Sequence, residues 1–242
     1  MIRDIGGHLI HTNRRVSETG CVTLDKLLVG GFPTGSISMV YGEAQTGKTT
    51  LAMQCAINSM KNGLKAIYID SDEAFSYPRF EQLAGLQSKD FFERLLLLTP
   101  HTFREQAKII EDLEKYFNRE NYILILDTVT SLYRVEVGSA PRTFQMNKEL
   151  NRQLAYLFKI SKEKDLTVIL TSQVHFAFDR NMIEPPASRI LNYWAALILQ
   201  LRDTDRMSVK EAILSRYDGN VSTNSGLFRL TKMGISDLQD YQ

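Results

Sequence analysis

Short runs of unbroken apolar residues alternate along this chain with longer stretches whose apolar positions recur every three or four residues. The short runs predict strands buried on both faces, and the longer ones predict amphipathic helices. Residues 36–41 (SISMVY) read as the first such strand, closed by Gly42. Leu51, Ala52, Cys55, Ala56 and Met60 then share one face of a helix over 48–60, stopped by Asn62-Gly63. Further strands are predicted at 65–70 (KAIYID), 95–98 (LLLL), 122–126 (YILIL) and 167–171 (TVILT). Helices are predicted at 77–86, 103–117 and 148–164. A late run of strands covers 194–201, 208–215 and 226–230, with a turn at Asp218-Gly219-Asn220. Apolar strands separated by helices predict an α/β fold with a mostly parallel central sheet, helices on both faces and antiparallel strands toward the C-terminus. In such sheets ligands bind beyond the carboxyl ends of the strands, so the polar residues just past each strand are the candidates for chemistry.

The first of these candidates is specific. Gly42-Glu43-Ala44-Gln45-Thr46-Gly47-Lys48-Thr49 fits G-x-x-x-x-G-K-[ST] in full, after a predicted strand and at the start of a predicted helix. Glycines let successive N–H groups curl toward phosphate oxygens, and the helix N-terminus adds its dipole. Lys48 supplies charge at the β- and γ-phosphates, and the Thr49 hydroxyl suits Mg²⁺. Asp127 ends the YILIL strand, where a carboxylate either reaches the metal beside Thr49 or caps a following helix. Asp70, Asp72 and Glu73 cluster at the end of KAIYID, either to orient an attacking water or as a solvated acidic turn. Gln173 follows TVILT, as a γ-phosphate contact or an ordinary polar strand end.

Composition narrows the rest. The chain has 242 residues and is 43% hydrophobic, which excludes a mostly disordered polymer. Lys+Arg 29 against Asp+Glu 28 leaves a net charge of +1, so nucleic-acid binding by bulk charge is excluded and any such contact needs a local patch. Two cysteines, Cys21 and Cys55, support no disulfide framework and read as small buried apolar groups in a reducing, cytoplasmic setting. Tyr193 and Trp194 read as core. No apolar run reaches the roughly 20 residues of a membrane span.

The order of these pieces resembles RecA-family ATPases. Ser17-Glu18-Thr19-Gly20 through Leu27-Leu28, then Gly30-Gly31 to Gly35, resembles the family's entry to the phosphate loop. YIDSDEAF is similar to a segment of archaeal RadA recombinases. LILDTVTSLYRVE, the helix from Asn147 to Leu154 and TSQV resemble RadA and its RadB-type paralogs. The resemblance spans about Ser17 to Ile235. It implies a RecA-like P-loop core over residues 17–242, after an extension at 1–16.

Position by position, the resemblance implies that residues 42–50, ending at Thr50, hold ATP. Thr49 and Asp127 would hold Mg²⁺, Gln173 would sense the γ-phosphate, and Arg79 would stack on adenine. Lys48, Asp72, Glu73 and Gln173 are the implied catalytic set, with Asp72 where the family places a glutamate and Glu73 next to it, pointing elsewhere if the strand pattern continues. Segments after Tyr133 and after Gln173 would be loops facing single-stranded DNA. Arg134, Arg142, Arg180 and Arg189 are their basic residues, and Phe144, Phe176 and Phe178 their stacking groups. No F-x-x-A docking tetrapeptide occurs, which points to an accessory protein that assists a RadA-type recombinase. Two other readings stay open: a KaiC-like signalling ATPase, and a non-hydrolysing nucleotide switch acting through protein partners.

Overall fold

The computed structural model describes residues 14–118, 121–177 and 182–238. The chain enters through β1 (Val16–Ser17), α1 (Val22–Leu27) and β2 (Phe32–Pro33), with β1 and β2 antiparallel. Then follow β3 (Ser36–Gly42), α2 (Lys48–Lys61), β4 (Lys65–Asp70), α3 (Tyr77–Ala84), α4 (Ser88–Phe92) and β5 (Leu95–Leu98). The middle runs through α5 (Phe103–Glu111), β6 (Tyr122–Asp127), α6 (Ser131–Glu136), α7 (Ala140–Lys164) and β7 (Thr167–Ser172). A hairpin of β8 (His175–Ala177) and β9 (Met182–Glu184) and helix α8 (Ser188–Trp194) lead to β10 (Ala195–Asp203), β11 (Val209–Tyr217), β12 (Asn220–Thr231) and β13 (Gly234–Asp237).

These strands form a nine-stranded sheet in the order β13-β12-β11-β10-β3-β7-β6-β4-β5. From β10 to β5 every pairing is parallel, and β11 to β13 add on antiparallel, as the pattern predicts. Register sets the site: Tyr41 lies opposite Ser172, Leu126 opposite Leu170, and Asp70 opposite Asp127. The exits of β3, β7, β6 and β4 therefore open at one level.

One core layer packs α1 and α2 on the sheet through Leu24, Leu51, Cys55, Tyr68, Phe80 and Phe228; Cys21 and Cys55 are both buried there. The other packs α5 and α7 through Ile110, Leu150, Leu154, Leu157 and Val168. Each such side chain, fully buried, contributes about 1.5–3 kcal/mol. Arg14 and Arg15 pair with Asp218 and Asp165, which ties the described start of the chain to the core.

The late strands run longer than the pattern predicts, 220–231 in place of 226–230, and four other boundaries differ, each for a local reason. The helix over 103–117 ends at Glu111, and residues 113–116 tighten into a 3₁₀ turn that still buries Leu113. The helix from 77 stops at Ala84, because Gly85 takes φ +66°. The long helix starts at Ala140 rather than at 148, with Pro141 in the first turn, where no backbone donor is required. Residues 188–194 are helical, so the strand predicted from 194 begins at Ala195. This helix also turns Tyr193 outward, 78% exposed, and leaves Trp194 half-buried with its indole N–H donating to Asn151 Oδ1 at 2.9 Å. The core reading fails for Tyr193.

Candidate nucleotide and metal site

The phosphate loop leaves the sheet between β10 and β7. A Cβ on Gly42 would stand 2.2 Å from the Leu201 carbonyl oxygen, so only glycine lets β3 run this close to β10. Gln45 at φ +64° and Gly47 at φ +101° turn the chain back into α2. Gly47 is the N-cap and offers no side-chain acceptor to the first-turn N–H groups of α2. Those donors and the helix dipole form an anion cradle. Lys48 is buried and donates from Nζ to the carbonyls of Gly42 at 3.0 Å and Glu43 at 2.6 Å, spanning the loop. Burial lowers its pKa, opposed by the carboxylates of Asp127, Asp72 and Glu43. Thr46 donates to the Glu43 carbonyl at 2.9 Å and stiffens the loop, while Glu43, Ala44 and Gln45 form its exposed rim. A recess of about 250 Å³ follows, lined by Gln45, Gly47, Lys48, Thr49, Thr50 and Leu230.

Asp127 is fully buried at the end of β6. The Tyr68 phenol donates to its Oδ2 at 2.7 Å and the Thr171 hydroxyl donates to Oδ1, and the Thr49 hydroxyl also favours its charged form. Burial raises its pKa, and the three hydroxyls pull it down. A buried carboxylate beside a threonine hydroxyl, surrounded by oxygen groups, is a donor set that suits a hard cation such as Mg²⁺. The sequence pattern misses Tyr68 and Thr171. The available signal was a polar tip on each of two otherwise apolar strands.

The carboxylates after β4 separate into three roles. Asp70 is buried and accepts the N–H groups of Ala74 at 3.1 Å and Phe75 at 2.9 Å, folding the loop. Asp72 Oδ2 accepts the Gln173 side-chain amide at 2.9 Å. Glu73, at φ +51°, turns away and pairs with His101 at 3.1 Å, both well exposed. Glu73 therefore stands outside the group that its position in the sequence suggested. Asp72 and Gln173 line a polar recess of about 320 Å³ with Thr128, Thr130, Ser131, Arg134 and Val135.

Arg79 donates to the carbonyls of Thr231 at 3.0 Å and of Lys232, and to Gln82 Oε1 at 2.7 Å. A guanidinium bonded through its edge keeps its faces available for stacking. Just before the turn that it grips, Leu230 of β12 lies with its side chain beside Gly47.

The candidate DNA residues are less gathered. The predicted first loop is largely helix: Arg134 is on α6, and Arg142 and Phe144 are on the first turns of α7. Arg142 pairs with Glu136, and Phe144 is 71% exposed. The second predicted loop holds the β8–β9 hairpin and α8, with Phe176 opposite Ile183 and Arg189 exposed on α8. Phe178 and Arg180 lie outside the described residues.

The Rad51 family profile matches residues 13–238. The DNA repair and recombination protein RadB of Methanococcoides burtonii is 33% identical over 90% of this chain and 96% of its own. RadB of Thermococcus kodakarensis is 34% identical over 92% of this chain and 99% of its own. A solved structure, described as the RadB recombinase, superimposes with a TM-score of 0.80 at 32% identity, covering 93% of this chain and all of that one. The profile match covers nearly the whole length of the chain, and this chain belongs to the Rad51 family.

Proposed function

We propose that the chain binds ATP with Mg²⁺, turns it over slowly, contacts single-stranded DNA and assists a RadA-type recombinase in DNA repair and recombination. The observation that carries the first part is Lys48, buried and spanning the carbonyls of Gly42 and Glu43 at the mouth of an uncapped helix N-terminus. An ammonium so placed has carbonyl oxygens for partners that phosphate oxygens can replace with stronger, charge-assisted bonds. Residues 42–50 would take the triphosphate, with Arg79 against the base. Thr49 and Asp127 would hold Mg²⁺, which neutralises developing charge on the phosphates. Asp72 is the carboxylate for orienting water, and its bond to Gln173 joins it to the residue placed to sense the γ-phosphate. Lys48 and Gln173 bind, and Asp72 orients; Glu73, tied to His101, is left out of the reaction. The recess that Asp72 and Gln173 share with Arg134 supports a path from nucleotide to DNA.

A second reading, a nucleotide switch with little hydrolysis, is favoured by the same Asp72–Gln173 bond. That bond occupies the carboxylate, and Asp is shorter than the family's glutamate. Rad51-family membership and RadB relatives favour both readings over a KaiC-like signalling ATPase. The experiment is equilibrium binding of ATP with Mg²⁺ to the chain and to Lys48→Ala, then of single-stranded DNA across a salt series. Tight ATP binding lost in Lys48→Ala, with DNA affinity falling steeply in salt, is the expected result. Equal ATP affinity in both proteins overturns the reading.

A further inference from the structure

Tyr68 is an unusual residue for its place. It sits in the middle of β4, fully buried among Ala66, Ile67 and Ile69. A phenol there must find an acceptor, because an unpaired buried hydroxyl costs about 1–3 kcal/mol. A phenylalanine would fill the same space without that demand. The acceptor it finds is Asp127 Oδ2 on the adjoining strand β6, at 2.7 Å. From the opposite side, Thr171 on β7 donates to Oδ1. The carboxylate is thus held between its two neighbouring strands, one hydroxyl to each oxygen. The Tyr68 ring is itself fixed edge-on against Phe75, with centroids 5.2 Å apart. Phe75 belongs to the loop that Asp70 folds back, the loop that also carries Asp72.

We propose that Tyr68 is a positioning residue. Its phenol, with the Thr171 hydroxyl, fixes the rotation of the Asp127 carboxylate toward Thr49 and so sets how tightly the nucleotide site takes Mg²⁺. The proposal rests on the nucleotide reading above. Partners that orient a metal-binding carboxylate typically change metal affinity 10–100-fold when removed, while leaving the rest of the site in place. A purely structural tyrosine would affect folding and every form of binding alike.

The test is a fluorescent ATP analogue bound to the full chain, measured in EDTA and across a Mg²⁺ titration. The variants are Tyr68→Phe, Thr171→Val and Thr171→Ser. Tyr68→Phe is expected to keep nucleotide affinity in EDTA within about twofold and to raise the half-saturating Mg²⁺ concentration about tenfold. Thr171→Val is expected to move in the same direction, and Thr171→Ser, which keeps the hydroxyl, to stay near the unaltered chain. An unchanged Mg²⁺ midpoint in both Tyr68→Phe and Thr171→Val overturns the proposal, as does an equal loss with and without Mg²⁺. Failure of the unaltered chain to bind the analogue in either condition instead overturns the nucleotide reading, and the proposal falls with it.

Discussion

Gln173, just past β7, donates its side-chain amide to Asp72, just past β4, across 2.9 Å. Two strands that are not neighbours in the sheet are joined at their exits by this bond, which spans β6 and the Asp127 it carries. A γ-phosphate placed at Lys48 would compete for the amide. In the proposed reaction, release of Gln173 would free the Asp72 carboxylate to orient water, and substrate arrival and readiness of the carboxylate would be one event. Asp72→Glu adds the methylene that the family position normally has. We expect it to raise ATP turnover several-fold, and Asp72→Ala to abolish turnover with ATP affinity kept within about threefold. Steady-state phosphate release beside equilibrium binding separates the two effects.

Arg79 meets the β12–β13 turn through its edge, and the proposed stacking on a base would use its faces. Arg79→Ala should weaken ATP binding about tenfold, or about 1.4 kcal/mol. Tripolyphosphate, which has no base to stack, should bind both proteins alike. Isothermal titration with the two ligands checks this, and an equal loss for both would place Arg79 in the support of the loop instead.

Asp237 at the end of β13 caps α1 from 216 residues away in sequence, since it bonds Cys21 as well as the N–H groups of Val22 and Thr23 at 3.0 and 2.6 Å. Burial alone would raise its pKa. The Thr23 hydroxyl, the two N–H groups and the Cys21 thiol outweigh that and bring it down to about 2. The folded value lies below the unfolded one, so the carboxylate stabilises the fold above about pH 4, and this contribution is lost as pH falls through about 2. Asp237→Ala should cost about 1 kcal/mol at pH 7, as for other lost caps. In denaturant titrations the gap between variant and parent should close as pH is lowered from 4 toward 2.

Arg134 lines the recess shared with Asp72 and Gln173, whereas Arg142 is paired with Glu136. Arg134→Ala should therefore weaken single-stranded DNA binding and reduce the salt slope by about 1. Arg142→Ala should change the slope less. Fluorescence anisotropy across a salt series checks both.

The phosphate loop was legible in the sequence because its chemistry is local: glycines, Lys48 and Thr49 act within one turn of chain. Asp127 and Gln173 were legible because β6 and β7 carry unbroken apolar runs, ILIL and VIL, so the polar residues that follow mark each exit. Tyr68 was not, because its role depends on β4 lying beside β6, a pairing made across residues 71–121. For Glu73 the alternation of an extended chain already turned it away from Asp72, whereas the positive φ that rotates it toward His101 is invisible in the residue type. The loop expected around Arg142 became helix because Pro141, which usually signals a break, is well suited to a helix's first turn.

The most direct test of the account is ATP turnover by the purified chain with Mg²⁺, with and without single-stranded DNA, beside Lys48→Ala and Asp72→Ala. Slow turnover that DNA stimulates and that both substitutions remove is the expected result. Turnover that survives in Lys48→Ala, or a chain that neither binds nor hydrolyses ATP, would contradict it.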